Sequence, residues 1–225
     1  MVQIIENALT EQELTQIRAF DLIEDSSVQQ GRKYRNKTVK NDSVDQLSNP
    51  AIAFVLEKVK KLIPENHQVC DMVLHTTEQG MQIHSDGNIN KKDHKAILFP
   101  INVEAEGAGT IFFENQYLGE GPMVFAKNNP WGGSNKNKDP KNSSKRKITA
   151  DYSVVTDYKE TANIAEVHKK HLGHIPAENS NGLTIEKIYK WKPGQAVIFD
   201  STQLHCATNH VGYKTACTVF TRLVD

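Results

Sequence analysis

Nine histidines are spread through the 225-residue chain, and one stands two positions before an acid, in the stretch "GMQIHSDG" that holds His84 and Asp86. On an extended chain alternate side chains point to the same side, so this imidazole and carboxylate can reach one ion together. A lone His-x-Asp is also what an ordinary polar surface turn looks like, and the pair alone does not choose between the two. His205, in "VIFDSTQLHCATN", lies 119 residues beyond Asp86 and offers a third donor if the two segments meet. Two imidazoles and one carboxylate on one face of an octahedral ion leave open positions, a pattern suited to non-haem Fe(II) and dioxygen.

Nine residues after His205 sits Lys214, in "HVGYKTACTVF", just past a turn and at the head of a β-branched run. A cation there is placed to hold the far end of a dicarboxylate whose keto-acid end chelates the metal. Lysine does this as a point charge, arginine bidentately. The rival is Arg222, eight residues further along the same run. It has the same parity, so strict alternation turns both side chains the same way.

The elements that must position these residues change character along the chain. Thr10 followed by Glu13 is a capping-box pattern, with Leu14, Ile17, Arg18 and Phe20 at roughly helical spacing behind it. Residues 24–48 are polar and rich in breakers, which predicts a loop with at most a short strand near Tyr34–Val39. Asn49–Pro50 opens a second helix whose Ile52, Val55, Leu56, Val59, Leu62 and Ile63 form one apolar stripe, ended by Pro64. Both helices are expected to pack against a sheet.

From residue 68 the period shortens. "QVCDMVLHTTE", "MQIHSD", "KAILFPINV", "GTIFFEN" and "PMVFAKN" read as short strands. After an interruption they are joined by "LTIEKIYKW", "QAVIFD", "QLHCAT" and "YKTACTVFTRLV". Pro193–Gly194 supply the turn before "QAVIFD". The interruption, at about 128–182, begins with the Lys/Asn/Gly-rich "NNPWGGSNKNKDPKNSSKRK" and ends with a short helical pattern. The expectation is a mainly β protein with flanking helices, a sandwich or jelly roll. It forms a single domain over 1–225: a helical lead-in at 1–67, then a β core over 68–225 with the insertion at about 128–182.

Composition narrows the partners. Lys+Arg and Asp+Glu balance at 27 each, which gives no overall footprint for nucleic acid or a membrane surface. No apolar run approaches the roughly 18–20 residues of a membrane span, and "MVQIIENALTEQEL" lacks the pattern of a secretory signal. Cys70, Cys206 and Cys217 are odd in number and outside any C-x-x-C pattern, which points to a reducing, cytoplasmic setting.

In its order of motifs the chain resembles the 2-oxoglutarate/Fe(II)-dependent dioxygenases, specifically their prolyl-hydroxylase-like and phytanoyl-CoA-hydroxylase-like members. His84-x-Asp86, the distal His205 and the following Lys214 carry the resemblance. "HKAILFPINVEAEGAGTIFFEN" and "WKPGQAVIFD" support it, and it spans roughly residues 68–225. It implies a double-stranded β-helix, the cupin-like jelly roll. It also implies Fe(II) on His84, Asp86 and His205, with 2-oxoglutarate chelating the metal and Lys214 (alternatively Arg222) on its distal carboxylate. The implied activity consumes O2, releases succinate and CO2, and hydroxylates a C–H bond of a small-molecule or peptidyl substrate. The turn-then-strand context favours Lys214, and the retained Asp86 speaks against halogenation, where a halide replaces the carboxylate. No catalytic side chain beyond the metal ligands is implied. Two other readings stay beside it: a cupin-like iron enzyme that does not use 2-oxoglutarate, and a jelly-roll binding module without catalysis.

Other residues have plainer expected roles. His75 and Thr110 are placed to touch the co-substrate or a ligand, but core or surface packing is the simpler expectation. His94 reads as a strand-end residue. His168, His171 and His174 have helical spacing without a carboxylate or cysteine partner in register, which suggests a solvated or lid face rather than a second metal site. Cys206 should face away from His205's side, and Trp191 reads as packing at a strand end. Trp131 and Tyr152 fall in the insertion, a candidate substrate lid.

Overall fold

Alternating residues of the strand-forming runs bury on two opposite faces, so each central strand serves two cores at once. In the computed structural model this holds along Lys95–Val103, where Ile97, Phe99 and Ile101 join one apolar cluster and Ala96 and Leu98 another. The structure describes residues 1–19, 26–29, 32–40, 50–78, 80–87, 94–117, 148–149, 164–175, 180 and 183–224.

In chain order the elements are β1 (Gln3–Ile5), α1 (Glu11–Arg18), β2 (Ser26–Gln29), β3 (Arg32–Lys40), α2 (Pro50–Leu62), β4 (His67–Thr77), β5 (Lys95–Val103) and β6 (Gly109–Tyr117). They continue with β7 (Ile148–Thr149), α3 (Ile164–His171), β8 (Ile185–Lys190), β9 (Ala196–Asp200), β10 (Gln203–Ala207) and β11 (Lys214–Leu223). The larger sheet has the order β1-β9-β5-β11-β4-β3-β2; the smaller has β10-β6-β7, with β8 also on β6. Neighbouring strands pair antiparallel throughout, from β1–β9 to β6–β8. The result is the expected jelly roll.

Three apolar clusters fix the layers. Leu14 and Ile17 of α1 and Val55, Leu56 and Val59 of α2 pack on Met72, Leu74, Phe99, Cys217 and Val219 of the larger sheet. Val167 of α3, with Leu172 and Ile175 beyond it, packs on Ile111, Phe113, Leu204 and Cys206 of the smaller sheet. Between the sheets lie Leu98, Phe112, Trp191, Val197, Phe199 and Ala216. By alternation His205 shares the inner face with Phe112, and Lys214 shares it with Ala216.

The helix starts follow their sequence signals. The Thr10 hydroxyl accepts from the Glu13 amide at 3.3 Å while the Glu13 carboxylate accepts from the Thr10 amide at 2.7 Å, closing the capping box. Arg18 Nε donates to Ile101 O (3.1 Å), tying α1 to β5.

Three expectations change. The short strand expected near Tyr34–Val39 is present but longer, as β3, and it pairs with an unexpected β2 on one side and with β4 on the other, extending the larger sheet. Segment 80–87 is not a strand; it touches the smaller sheet by one bridge, His84 to His205. Gln3–Ile5, expected within a helical lead-in, adds β1 to the edge of β9. The run "PMVFAKN" and Phe20 lie outside the described residues. Among the described residues no helix is long and apolar enough to cross a membrane.

Candidate active site

His84 and His205 exchange two backbone hydrogen bonds, each 2.9 Å, which sets their side chains next to one another on the inner face. Their ring centroids are 4.2 Å apart. Each ring is oriented by its own backbone: His84 Nδ1 lies 2.8 Å from Gln82 O and His205 Nδ1 2.9 Å from Gln203 O. A carbonyl can only accept, so Nδ1 carries the proton on both rings and each Nε2 presents a lone pair. Both lone pairs face Asp86, with His84 Nε2 3.6 Å from Oδ1 and His205 Nε2 3.5 Å from Oδ2.

The surroundings hold this corner in place. Ser85 Oγ donates to Gly87 O (2.8 Å), and the Gly87 amide donates to Ser201 O (2.7 Å). Phe112 stacks on the His205 ring at 5.9 Å and Phe199 meets it edge-on at 4.8 Å. Burial, and then the neighbouring His205, lower the His84 pKa to about 4, against the opposing pull of Asp86 and the Gln82 carbonyl. The imidazole is therefore neutral at physiological pH. Two nitrogen lone pairs and a carboxylate converge within 4.8 Å without a donor among them. That set repels itself unless a cation lies between its members, and its N, N, O character suits a divalent transition metal.

Lys214 stands elsewhere on the same inner face. Its Nζ is buried 4.1 Å above the Trp191 ring and has no hydrogen-bond partner among the described residues. Trp191 is itself fixed, its Nε1 donating to Thr110 Oγ1 at 2.8 Å. Burial lowers the Lys214 pKa to about 7. Lysine is almost never fully buried unpaired, so an unpartnered ammonium in an apolar interior fits a missing anion. Arg222 does not share this position. It is exposed. With the Gln68 amide turned so that its oxygen faces the guanidinium, that oxygen accepts from Arg222 at 2.6 and 2.8 Å. The expected shared parity fails because the β11–β4 register shifts between Phe220 and Thr221.

His75 pairs with Ala216 across β4 and β11, which gives it the inner face. Desolvation and then Lys214 lower its pKa to about 4, with Asp86 opposing and His84 adding a smaller lowering. Its ring therefore feels both the lysine and the His-Asp-His corner. Thr110 holds Trp191. The His94 carbonyl accepts from the Ser201 amide at 3.0 Å, just ahead of β5. Cys206 points outward into the smaller sheet's cluster, and burial pushes its thiol pKa up. Trp131 and Tyr152 lie outside the described residues, as does most of 128–182.

The histidines around α3 do structural work. His168 Nε2 lies 2.6 Å from Ile175 O. His174 Nε2 donates to Met81 O (3.1 Å), and Gln82 Nε2 donates back to His174 O (3.2 Å). The chain after α3 therefore straps the segment that carries His84. Gly80 makes room for it: a Cβ there would strike the His174 ring and stand 2.7 Å from Thr208 O. Sequence reading missed this strap, Trp191 as the platform under Lys214, and the buried His210. Only the Gly-turn spacing of "TNHVGYK" hinted at the last.

The sequence matches no protein-family model and no curated protein. Solved structures with this fold are found at low identity. A Pseudomonas putida prolyl-4-hydroxylase is 8% identical, with a TM-score of 0.52 over 99% of this chain and 92% of that one. The prolyl hydroxylase of Trichoplax adhaerens, solved with a hypoxia inducible factor peptide fragment, is 12% identical, with a TM-score of 0.51 over 98% and 83%. The non-haem alpha-ketoglutarate-dependent epimerase SnoN of nogalamycin biosynthesis is 10% identical, with a TM-score of 0.52 over 98% and 76%. The fold is the jelly roll of the 2-oxoglutarate/Fe(II) oxygenases.

Proposed function

We propose that the protein is an Fe(II)- and 2-oxoglutarate-dependent oxygenase that oxidises a C–H bond, by hydroxylation, in a peptidyl or small-molecule substrate. One observation carries this reading: three acceptor groups converge at His84, Asp86 and His205 inside the same jelly-roll interior that holds an unpartnered Lys214. The first set calls for a cation, the second for an anion, and a metal-chelating dicarboxylate answers both.

His84, Asp86 and His205 would hold the ion on one face, their Nδ1–carbonyl hydrogen bonds keeping each Nε2 unprotonated and aimed. When bound, Fe(II) and 2-oxoglutarate supply oxidation by dioxygen coupled to release of succinate and CO2. Lys214 would take the distal carboxylate, with Trp191 beneath its ammonium and Thr110 fixing the indole. Phe112 and Phe199 exclude water from the His205 side of the site. The Trichoplax neighbour, solved with a peptide fragment, supports keeping a peptidyl substrate in view.

The test is succinate formation by purified protein given Fe(II), 2-oxoglutarate and oxygen. Succinate equimolar with the 2-oxoglutarate consumed is expected, with none from the His205→Ala variant. Protein that binds iron but never makes succinate is an iron enzyme of another kind. Protein whose partner binding survives His84→Ala without metal is a binding module.

A further inference from the structure

Two of the three converging ligands hang on a weakly paired stretch of chain. His84 and Asp86 sit in segment 80–87, which is no strand and meets β10 by one bridge. What backs this segment is α3 and the turn behind it, which lie in the interruption between strands rather than in either sheet. Ile83, next to His84, is fully buried in the same apolar cluster as Val167, Leu172 and Ile175. Polar contacts reinforce that packing: His174 Nε2 donates to Met81 O at 3.1 Å, and Gln82 Nε2 donates to His174 O at 3.2 Å. Gln82 is also the residue whose carbonyl orients the His84 ring.

The same turn has a second grip. The Asn209 amide donates to His171 O at 2.6 Å, just past the end of β10, the strand that carries His205. Thr208, before it, continues the pairing of β10 with β6 through its amide on Gly109 O at 3.0 Å. The two grips meet at Gly80, where an added Cβ would strike the His174 ring and stand 2.7 Å from Thr208 O. His168 Nε2 closes the turn on itself by donating to Ile175 O at 2.6 Å. Residues 171–175 therefore hold together, from the far side, the same two elements that the His84–His205 bridge joins directly. A clamp on both ligand-bearing elements fixes their spacing. An ion that needs this spacing must hold the clamp shut by the same free energy, because such coupling is reciprocal.

We infer that the α3 clasp and the metal corner are energetically coupled: seating of residues 164–175 raises the affinity of His84, Asp86 and His205 for a divalent ion, and the bound ion keeps the clasp seated. His174 is the positioning residue at its centre and acts through Met81 and Gln82 rather than on the ion. This rests on the corner being a metal site. It makes the helix of the insertion part of that site's framework, not the substrate lid its place in the sequence suggests.

The experiment begins with wild type: hydrogen exchange of the Asn209 amide, resolved by fragmentation mass spectrometry, in metal-free protein and in protein saturated with Mn(II). That amide is released when the clasp opens, so Mn(II) should slow its exchange by about tenfold. Mn(II) titration reads the other direction. His174→Ala should bind Mn(II) on the order of tenfold more weakly and lose the metal-dependent slowing. His174→Gln, which keeps a donor for Met81 O, should restore most of both. Gly80→Ala, which drives a methyl against the His174 ring, should act as His174→Ala does. A merely structural clasp would change stability and leave Mn(II) affinity and metal-dependent exchange alone. Asn209 exchange indifferent to Mn(II), or His174→Ala affinity within about twofold of wild type, overturns the inference and leaves the metal corner standing. No Mn(II) binding by wild type overturns the corner itself. If His174→Ala does not fold, the wild-type exchange decides alone.

Discussion

His84 and His205 each commit one ring nitrogen to a backbone carbonyl two residues back and aim the other at Asp86. Lys214, Thr77 and His210, in the same interior, keep polar atoms that no described residue satisfies. The first region is oriented by short-range contacts that exist before any ion arrives. The second leaves buried groups unpaired, at a cost of about 1–3 kcal/mol each until a ligand meets them. A prepared site and an under-satisfied one sit side by side, and they should respond to mutation in opposite ways.

The largest effect is expected at the prepared corner. His205→Ala or Asp86→Ala should weaken Mn(II) or Fe(II) binding by at least about 100-fold and abolish succinate formation, read by metal titration and product assay. Next comes Lys214→Met, which should weaken 2-oxoglutarate binding by roughly 30- to 1000-fold. The same variant should leave the ligand-free protein as stable as wild type or more so, because it removes a buried unpaired ammonium. A lower ligand-free melting temperature would show that the ammonium is satisfied, and would dissolve the contrast.

Acid and base probe the contrast from both sides. Folded Lys214, lowered to about 7, loses its proton where the unfolded lysine keeps it. Ligand-free stability should therefore rise as pH climbs above about 7, until the unfolded lysine also deprotonates near 10.5. Lys214→Met should flatten that slope in urea titrations. Folded His75 and His210, both lowered to about 4, stay neutral where the unfolded imidazoles protonate. Stability should fall as pH drops from about 6.5 towards 4.

Smaller effects lie outside the two regions. His174→Ala should weaken metal binding on the order of tenfold by loosening the segment before His84, with His174→Gln restoring much of it. Arg222→Ala should change 2-oxoglutarate binding less than about twofold and stability by no more than about 0.5 kcal/mol.

The two regions were not equally legible in the sequence. His84, Asp86 and His205 were readable because residue type and order carry their meaning, and the helix starts at Thr10 and Pro50 rest on local signals. What escaped depends on pairing at a distance. "RKYRNKTVK" suggests only a short strand near Tyr34–Val39, and it grows to Arg32–Lys40 because β4 offers it a ladder. Arg222 follows the alternation rule on paper, but an irregular register near Thr221 turns it outward. His210 and Trp191 look like a turn residue and a packing residue until the folded sheets bury the one and set the other beside Lys214. His84 reads as a strand residue, yet its segment borrows only one bridge from β10.

That one bridge also sets a timetable. His84 and Asp86 leave the ribosome well before His205, and the paired backbone hydrogen bonds that align the two rings cannot form until β10 has emerged and docked. The corner where the two rings meet is therefore assembled by long-range pairing rather than by local contacts. A chain that stops short of β10 carries His84 and Asp86 but cannot set His205 beside them, so the three-residue corner exists only once the jelly roll has closed.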